Sequence, residues 1–339
     1  MGERKPPLDL KAAPLLSAVS SYLRYYAEGS GHTARAKRLD LQHFLDFLVL
    51  QRGCAKAANL KIADWDHSSV QLFLDYSLAR GESPATVARR LATLKHLGRT
   101  MSEQLPGFIN PAREVRAPKI KIGMPKSISR PEINKVRKKA EARLSQRKSF
   151  NRLRNETLFN FLLDTGLRAD EVRTLKLGQL DESLTWIKNV RTKGKRYRNV
   201  YITSAIRKDL KHYLAERKAK LEKLLPKYTK SQDRALPLFI SSYNAVPENP
   251  ESFFMGAKSI WRAINELSTD THLHPHLLRH SYAMDLLESS NDIRLVAQAL
   301  GHSDVRITMR YTERSDAQVA AALEKSRKNN PRPKVSEDP

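Results

Sequence analysis

Five residues between positions 168 and 311 have side chains that could act together on a phosphate group. Arg168 lies in the run Thr-Gly-Leu-Arg-Ala-Asp-Glu, and His276 and Arg279 share the run Pro-His-Leu-Leu-Arg-His. His302 lies 23 positions after Arg279, and Tyr311 lies 9 positions after His302. A planar guanidinium donates two parallel hydrogen bonds and stays charged, so arginine suits phosphate oxygens that gain negative charge. The set therefore indicates chemistry at a phosphate, with two arginines as the charge-stabilising groups.

The order and spacing of these residues resemble the catalytic set of the tyrosine recombinases, the phage integrase family that includes Cre- and Xer-like enzymes. The resemblance implies that Tyr311 attacks a DNA phosphodiester, forms a 3′-phosphotyrosyl bond and releases a 5′-hydroxyl. Arg168 and Arg279 would hold the charge that develops. His276 would be a general acid/base or a phosphate hydrogen-bond donor, and His302 would contact the scissile phosphate. Because the phosphotyrosine keeps the bond energy, the resemblance implies no ATP and no metal or other cofactor.

A lysine on a β-hairpin protonates the leaving 5′-oxygen in the enzymes that the sequence resembles. Lys193 is the best positional match, at the predicted turn of a hairpin. The family usually has glycine before this lysine, whereas Thr192 stands there. Lys195 therefore remains an alternative general acid.

Other ionisable residues lie close to the two motifs. Asp170 and Glu171 fit the family pattern and are expected to buttress the site rather than to react. His272, His274 and His280 suggest a zinc site, but no cysteine or carboxylate pattern accompanies them. The usual ligand spacings of zinc sites are absent, so no metal site is expected.

The composition indicates a protein that binds nucleic acid. The chain contains 61 Lys and Arg against 36 Asp and Glu, which gives a formal net charge of +25. A surface this basic favours a polyanionic partner. The hydrophobic content of 40% is enough for folded cores. On composition alone, a general basic nucleic-acid binder, including an RNA binder, remains an alternative.

The sequence favours a cytoplasmic, nucleoid-associated protein. Cys54 is the only cysteine, so an internal disulfide is excluded, which suits a reducing compartment. No segment approaches the roughly 20 apolar residues that cross a bilayer, so no membrane partner is expected. Charged residues interrupt the N-terminal stretch, which lacks the apolar core of a signal peptide.

Apolar periodicity over residues 12–105 predicts four short helices and no strands. Gly29 and Gly31 are expected to end the first helix, and Thr33 is expected to cap the second. Ser83-Pro84 supplies an N-cap and a first-turn proline for the fourth helix. That helix is expected to carry four basic residues largely outward: Arg89, Arg90, Lys95 and Arg99.

Breaks in periodicity divide the sequence into four parts. We predict an N-terminal helical DNA-binding domain at residues 1–110, a basic linker at 111–126, a catalytic domain at 127–327 and a polar tail at 328–339. Prolines and glycines interrupt the linker, whose charge suits a segment that lies along a phosphate backbone.

The second domain is predicted to be helical apart from one hairpin. Residues 184–203 form two arms rich in β-branched and aromatic side chains, which predicts a β-hairpin. A helix is predicted at 205–224, and a proline-rich loop at 225–250. The segment from Asp316 to Lys325 is predicted to form a further helix that packs on a neighbouring protomer or within its own chain.

The predicted fold class is mainly α with a small β-hairpin, an α+β catalytic domain preceded by an all-α, SAM-like core-binding domain. The resemblance implies a C-shaped clamp around a double-stranded DNA core site with inverted repeats. It also implies a homo-tetramer, or a hetero-tetramer with a second recombinase, that forms a Holliday junction during integration, excision or resolution. A telomere resolvase, a type IB topoisomerase-like enzyme and a non-catalytic DNA-binding relative remain alternatives.

Overall fold

The computed structural model describes residues 12–26, 31–120, 127–146, 149–192, 196–225, 227–243, 245–302, 304–309 and 311. The chain divides into two compact units, with the division between Ile122 and Gly123. Each unit has an apolar core of its own. Within the described residues, no helix combines the length and the apolar character needed to span a bilayer.

The first unit contains four α-helices in its described part: α1 (Leu15–Tyr25), α2 (Gly31–Arg52), α3 (His67–Ala79) and α4 (Pro84–Gln104). Their apolar faces meet in one core, as the periodicity predicts. The prediction of four helices is therefore confirmed, although α2 and α4 contain 22 and 21 residues and are not short. Two residues of the predicted linker, Ala112 and Val115, also lie in this core.

The boundary between α1 and α2 differs from the prediction. Because α2 begins at Gly31, this glycine does not end the first helix, and Thr33 lies inside α2 instead of capping it. Gly29 lies outside the described residues. Glycine is tolerated at a helix start, where the first N–H groups have no partner within the helix. The start of α4 is as predicted, since the Ser83 hydroxyl accepts a hydrogen bond from the Thr86 N–H.

Arg90 is buried, and its predicted outward position is wrong. Its guanidinium lies 2.8 Å from Glu82 and 3.9 Å from Asp40, a buried carboxylate on α2. Arg89 and Thr93 donate hydrogen bonds to the same carboxylate. A buried charge needs a partner, and Glu82, just before α4, provides one for Arg90. Helical periodicity cannot reveal this, because the partner lies outside the helix.

The second unit is mainly helical in its described part. Its helices are α5 (Arg130–Gln146), α6 (Phe150–Thr165), α7 (Ala169–Thr174), α8 (Ser204–Leu224), α9 (Lys230–Ala235), α10 (Ala257–Asn265), α11 (Pro275–Ser290), α12 (Ile293–Leu300) and α13 (Arg306–Met309). Helix α6 packs against α5, α8, α10 and α11 and lies at the centre of the core. The prediction of a loop throughout 225–250 is wrong at α9, which is helical. Its six residues are too few for a periodic signal, and the Thr229 hydroxyl caps it.

The predicted β-hairpin is confirmed. Strands β1 (Trp186–Arg191) and β2 (Tyr197–Tyr201) pair antiparallel, and their register shifts between Ile187 and Val190. The inward residues Ile187, Val190 and Val200 join the core of the unit. The turn residues, the predicted helix after Tyr311 and the tail at 328–339 lie outside the described residues.

Two glycines with positive φ end the helices that frame the candidate site. Gly166 ends α6 with φ +59°, and Gly301 ends α12 with φ +66°. Glycine adopts this left-handed conformation without the steric cost that other residues meet. A Cβ atom at Gly301 would also lie 2.5 Å from Nη1 of Arg198, so a side chain at this position would displace that guanidinium.

Arg217 on α8 provides a test of the packing in this unit. It is buried, donates hydrogen bonds to the Pro237 carbonyl at 2.8 and 3.2 Å, and pairs with Asp233. We expect Arg217→Met to lower the free energy of unfolding by about 3 kcal/mol, because a carbonyl and a carboxylate lose their donor. Chemical denaturation followed by circular dichroism measures this change.

Lys218→Met on the same helix is the matched control. Lys218 is exposed and lies 3.9 Å from Glu222, so its removal should cost less than about 0.5 kcal/mol. Equal stabilities of the two variants would show that the buried arginine contributes nothing net.

Candidate active site

Arg168 caps the N-terminus of α7 and is held by Glu171 of the same helix. Its backbone N–H donates to Oε2 of Glu171 at 2.9 Å, and its Nη1 donates to Oε1 at 2.9 Å. Glu171 is buried, whereas the side chain of Arg168 keeps 28% of its surface exposed. The carboxylate therefore holds both the backbone N–H and the guanidinium of Arg168, while part of the side chain stays exposed.

Arg279, in the second turn of α11, is held mainly by backbone carbonyls. Its Nη1 donates to the Gly166 carbonyl at 2.5 Å, and its Nη2 donates to the Leu300 carbonyl at 2.7 Å. Its Nη1 also lies 3.8 Å from Oε2 of Glu171. Burial, followed by the charge of Arg168, lowers the pKa of Arg279 to about 10, so the guanidinium keeps its charge at neutral pH. The two predicted arginines thus converge on one carboxylate.

His302 joins this cluster immediately after the end of α12. Its Nε2 lies 3.2 Å from Nη2 of Arg279, and its Nδ1 lies 2.8 Å from the Thr308 hydroxyl. The hydroxyl of a buried threonine on α13 therefore fixes the ring from its far side. Because Nε2 faces Arg279, the imidazole of His302 lies next to the guanidinium that would bind a phosphate.

Tyr311 is buried and lies two positions after the end of α13. Its phenol oxygen lies 2.8 Å from Nδ1 of His280, and the two rings are 5.5 Å apart. The ring of Tyr311 packs in a small apolar cluster with Leu287 and Val296. The phenol is also close enough to Arg279 to affect the pKa of that guanidinium. His280 was considered in the sequence only as a metal ligand, and its contact with the tyrosine was missed.

His276 lies at the start of α11 and is exposed at its surface. Desolvation by the protein atoms around the ring, then the charges of Arg279 and Arg168, lower the pKa of His276 below its ordinary value. The ring is therefore neutral at neutral pH. A neutral imidazole beside two arginines can donate from one nitrogen and accept at the other.

Arg198 on β2 is a further member of the cluster that sequence analysis missed. Its Nη1 and Nη2 donate to the two oxygens of Glu171 at 3.1 and 3.2 Å, and Nη1 also donates to the Leu300 carbonyl at 3.0 Å. Burial alone raises the pKa of Glu171, but Arg198, then Arg168 and Arg279, outweigh it and hold that pKa below its usual value. The carboxylate is thus charged at neutral pH.

Lys193 and Lys195, the two predicted general acids, lie outside the described residues. The two residues on either side of this turn are hydrogen-bonded to each other: the Thr192 N–H donates to the Arg196 carbonyl at 2.7 Å. Their roles stay predictions.

The other histidines near α11 have structural partners. His274 is the N-cap of α11, and its Nδ1 accepts a hydrogen bond from the Leu277 N–H at 3.1 Å. The ring of His272 packs against Trp261. In the parts of the chain that the structure describes, no group of three His, Cys, Asp or Glu residues is placed to hold a metal ion.

Models of two phage integrase domains match this chain, one in each unit. The model of the phage integrase family matches residues 130–318, and that of the N-terminal SAM-like domain of phage integrases matches residues 19–101. In fold, the chain is similar to the XerH site-specific recombinase bound to a palindromic difH substrate in a post-cleavage complex. That likeness has a TM-score of 0.71 at 20% identity and covers 94% of this chain and 98% of XerH.

Two relatives are similar in sequence along most of the chain. Tyrosine recombinase XerC of Alcanivorax borkumensis is 30% identical over 90% of this chain and 92% of its own length. Tyrosine recombinase XerC of Oceanobacillus iheyensis is 29% identical over 90% of this chain and 93% of its own length. Since the family match covers more than half of the chain, the protein belongs to the phage integrase family, as a Xer-like tyrosine recombinase.

Proposed function

We propose that this site-specific recombinase cuts and rejoins DNA through a 3′-phosphotyrosyl intermediate, with Tyr311 as the nucleophile. One observation supports the proposal above the others: Arg168 and Arg279 share Glu171, and His302 touches Arg279. A site with two charged guanidiniums and neighbouring imidazoles suits a pentacoordinate phosphate, whose non-bridging oxygens carry extra negative charge.

In this mechanism the two arginines bind the non-bridging oxygens of the scissile phosphate. Arg279 hydrogen-bonds to neutral carbonyls, which orient its guanidinium without cancelling its charge. His276 flanks the arginines as a hydrogen-bond donor to the same oxygens, and Nε2 of His302 accepts from Arg279 and so orients that guanidinium. Because these donors are held before DNA arrives, little reorganisation is needed in the transition state.

The proton of the nucleophile passes to His280. The phenol O–H bond of Tyr311 breaks, the proton moves to Nδ1 of His280 across 2.8 Å, and the phenolate oxygen bonds to phosphorus. The bond from phosphorus to the 5′-oxygen breaks in the same displacement. Lys193, or Lys195 in its place, gives a proton to that oxygen. Attack by a 5′-hydroxyl of a partner strand then reverses each step.

The assembly that we propose is four protomers on two core sites with inverted repeats, which exchange strands through a Holliday junction. The palindromic DNA in the XerH complex supports a site with inverted repeats. Relatives of this chain carry two names, XerC and XerD, so a hetero-tetramer with a second recombinase is an alternative to a homo-tetramer. Residues 1–110, 111–126 and 127–327 would serve as the core-binding domain, the linker and the catalytic domain.

Trapping of covalent adducts tests the proposal directly. Purified protein is mixed with fragmented DNA of the source organism and denatured with SDS, and the attached ends are sequenced. We expect adducts at one recurring sequence with Tyr311 joined to a 3′-phosphate. Tyr311→Phe should bind the same DNA with unchanged affinity and form no adduct. Adducts that persist in Tyr311→Phe would identify another nucleophile.

The protonation of His276 can be measured in the protein without DNA. An NMR titration of the ring protons should give a pKa below the ordinary histidine value of about 6.5. Arg168→Ala should raise that pKa, because a nearby positive charge disfavours the imidazolium. Arg294→Ala, which removes an arginine from α12, is the control and should leave it unchanged. A pKa above 6.5 in the unmodified protein would contradict a neutral His276.

The role of His280 is tested by removing its acceptor nitrogen. His280→Phe should lower the single-turnover cleavage rate by about 100-fold, because the phenol loses its proton acceptor. A 3-fluorotyrosine at position 311 has a more acidic phenol and should recover part of that loss. His272→Phe is the matched control and should cleave normally. A faster rate in His280→Phe would show that this contact restrains the tyrosine instead.

A further inference from the structure

Glu171 places a full negative charge inside a site that would bind an anion. Its carboxylate is buried between Arg168, Arg198 and Arg279. An unpaired buried carboxylate would repel a phosphate and would draw the nearest cation to itself. Three arginines and one carboxylate leave a net charge of +2 in the cluster. Which arginine pairs with Glu171 therefore decides which guanidiniums keep their charge for the DNA.

The contacts divide the three arginines unequally. Arg198 makes two hydrogen bonds to the carboxylate, one to each oxygen, and its third goes to the Leu300 carbonyl. Arg279 stays 3.8 Å from the carboxylate and donates to neutral carbonyls. Arg168 makes one side-chain hydrogen bond to it and keeps 28% of its side chain exposed. Arg198 is thus the arginine most committed to Glu171.

The position of Arg198 suits a counterion better than a phosphate ligand. Burial does not separate it from Arg279, since 10% and 5% of the two side chains are exposed, but both Nη atoms of Arg198 bond to carboxylate oxygens whereas those of Arg279 bond to neutral carbonyls. Its guanidinium also occupies the space beside Gly301, where a Cβ atom would lie 2.5 Å from Nη1. The glycine that ends α12 thus admits the arginine to the Leu300 carbonyl, which also binds Arg279.

We propose that Arg198 is a positioning residue that neutralises Glu171 and so leaves the charges of Arg168 and Arg279 for the scissile phosphate. The inference rests on the proposed function, because it assigns those two arginines to the phosphate. Without Arg198, Glu171 would draw Arg168 and Arg279 toward itself. Two free guanidinium charges match the two negative charges that a phosphodiester carries in its pentacoordinate state.

A neutral phosphate separates this role from simple support of the fold. Arg198→Gln should slow single-turnover cleavage of an ordinary site by about 50-fold, because the catalytic arginines lose charge to Glu171. A methylphosphonate at the scissile position removes one negative charge and so needs less of the arginine charge. On that substrate the loss should shrink to about 5-fold. An equal loss on both substrates would overturn the proposal and leave Arg198 as a structural residue.

Arg173→Gln is the matched control for the two substrates. Arg173 also pairs with a carboxylate on α7, Asp170 at 3.3 Å, but this pair lies at the surface. Its replacement should leave the ratio between the two substrates unchanged. Arg198→Lys keeps the charge but loses the two-point contact, so it should recover part of the rate.

A double variant tests the counterion role, because a gain in rate over the single variant cannot come from damage to the fold. If Arg198 serves to neutralise Glu171, then Arg198→Gln with Glu171→Gln should cleave faster than Arg198→Gln alone, by about 5-fold or more. A double variant that is slower than either single variant would overturn the proposal. Thermal unfolding of all four proteins checks that the comparison is made between folded chains.

The same cycle in the Tyr311→Phe background uses binding in place of cleavage. The probe is a duplex selected from a random DNA library by Tyr311→Phe protein. Arg198→Gln should weaken binding to it by about 5-fold, and the added Glu171→Gln should restore the affinity. If the unmodified protein forms no adduct, the proposed function fails while this cycle still decides the role of Arg198. Affinities that do not change in the cycle would overturn the counterion role.

Discussion

The carboxylate of Glu171 is the interaction on which the candidate site depends. It is buried, it stays charged because its pKa is held below the usual range, and it touches arginines from three separate elements. Those elements are α7, β2 and α11. Three guanidiniums gathered around one carboxylate would repel one another without it, and the buried anion makes their approach favourable. One buried acid thus holds the cationic site together.

Backbone carbonyls at two helix ends also hold Arg279 in the site. Carbonyls at the end of a helix have no partner within it and carry partial negative charge. The carbonyl of Gly166 after α6 and that of Leu300 at the end of α12 both accept hydrogen bonds from Arg279. These neutral acceptors orient the guanidinium and leave its charge intact. The left-handed glycines at both helix ends are therefore part of the site as well as of the fold.

The sequence points to the proposed site residues more readily than to the residues that support them. Spacing and local motif identify Arg168, His276, Arg279, His302 and Tyr311, because each lies in a short run of neighbours. Helix and hairpin positions follow from periodicity for the same local reason. Arg198 belongs to a basic strand and looks like any solvated cation in sequence. Its role arises only when β2 meets α7 and α12, and long-range contacts of this kind leave no periodic signal.

The spacing between Arg279 and Tyr311 also has a physical explanation in the structure. Helix α11 carries Arg279 and His280, and α12 returns to place the Leu300 carbonyl on Arg279. The next residues pass through α13 and bring Tyr311 back to His280. Tyr311 then lies in one apolar cluster with Leu287 of α11 and Val296 of α12. The two helices that orient the arginine therefore also anchor the tyrosine, so a change in the length of either connection would separate the proposed nucleophile from the charge that stabilises its attack.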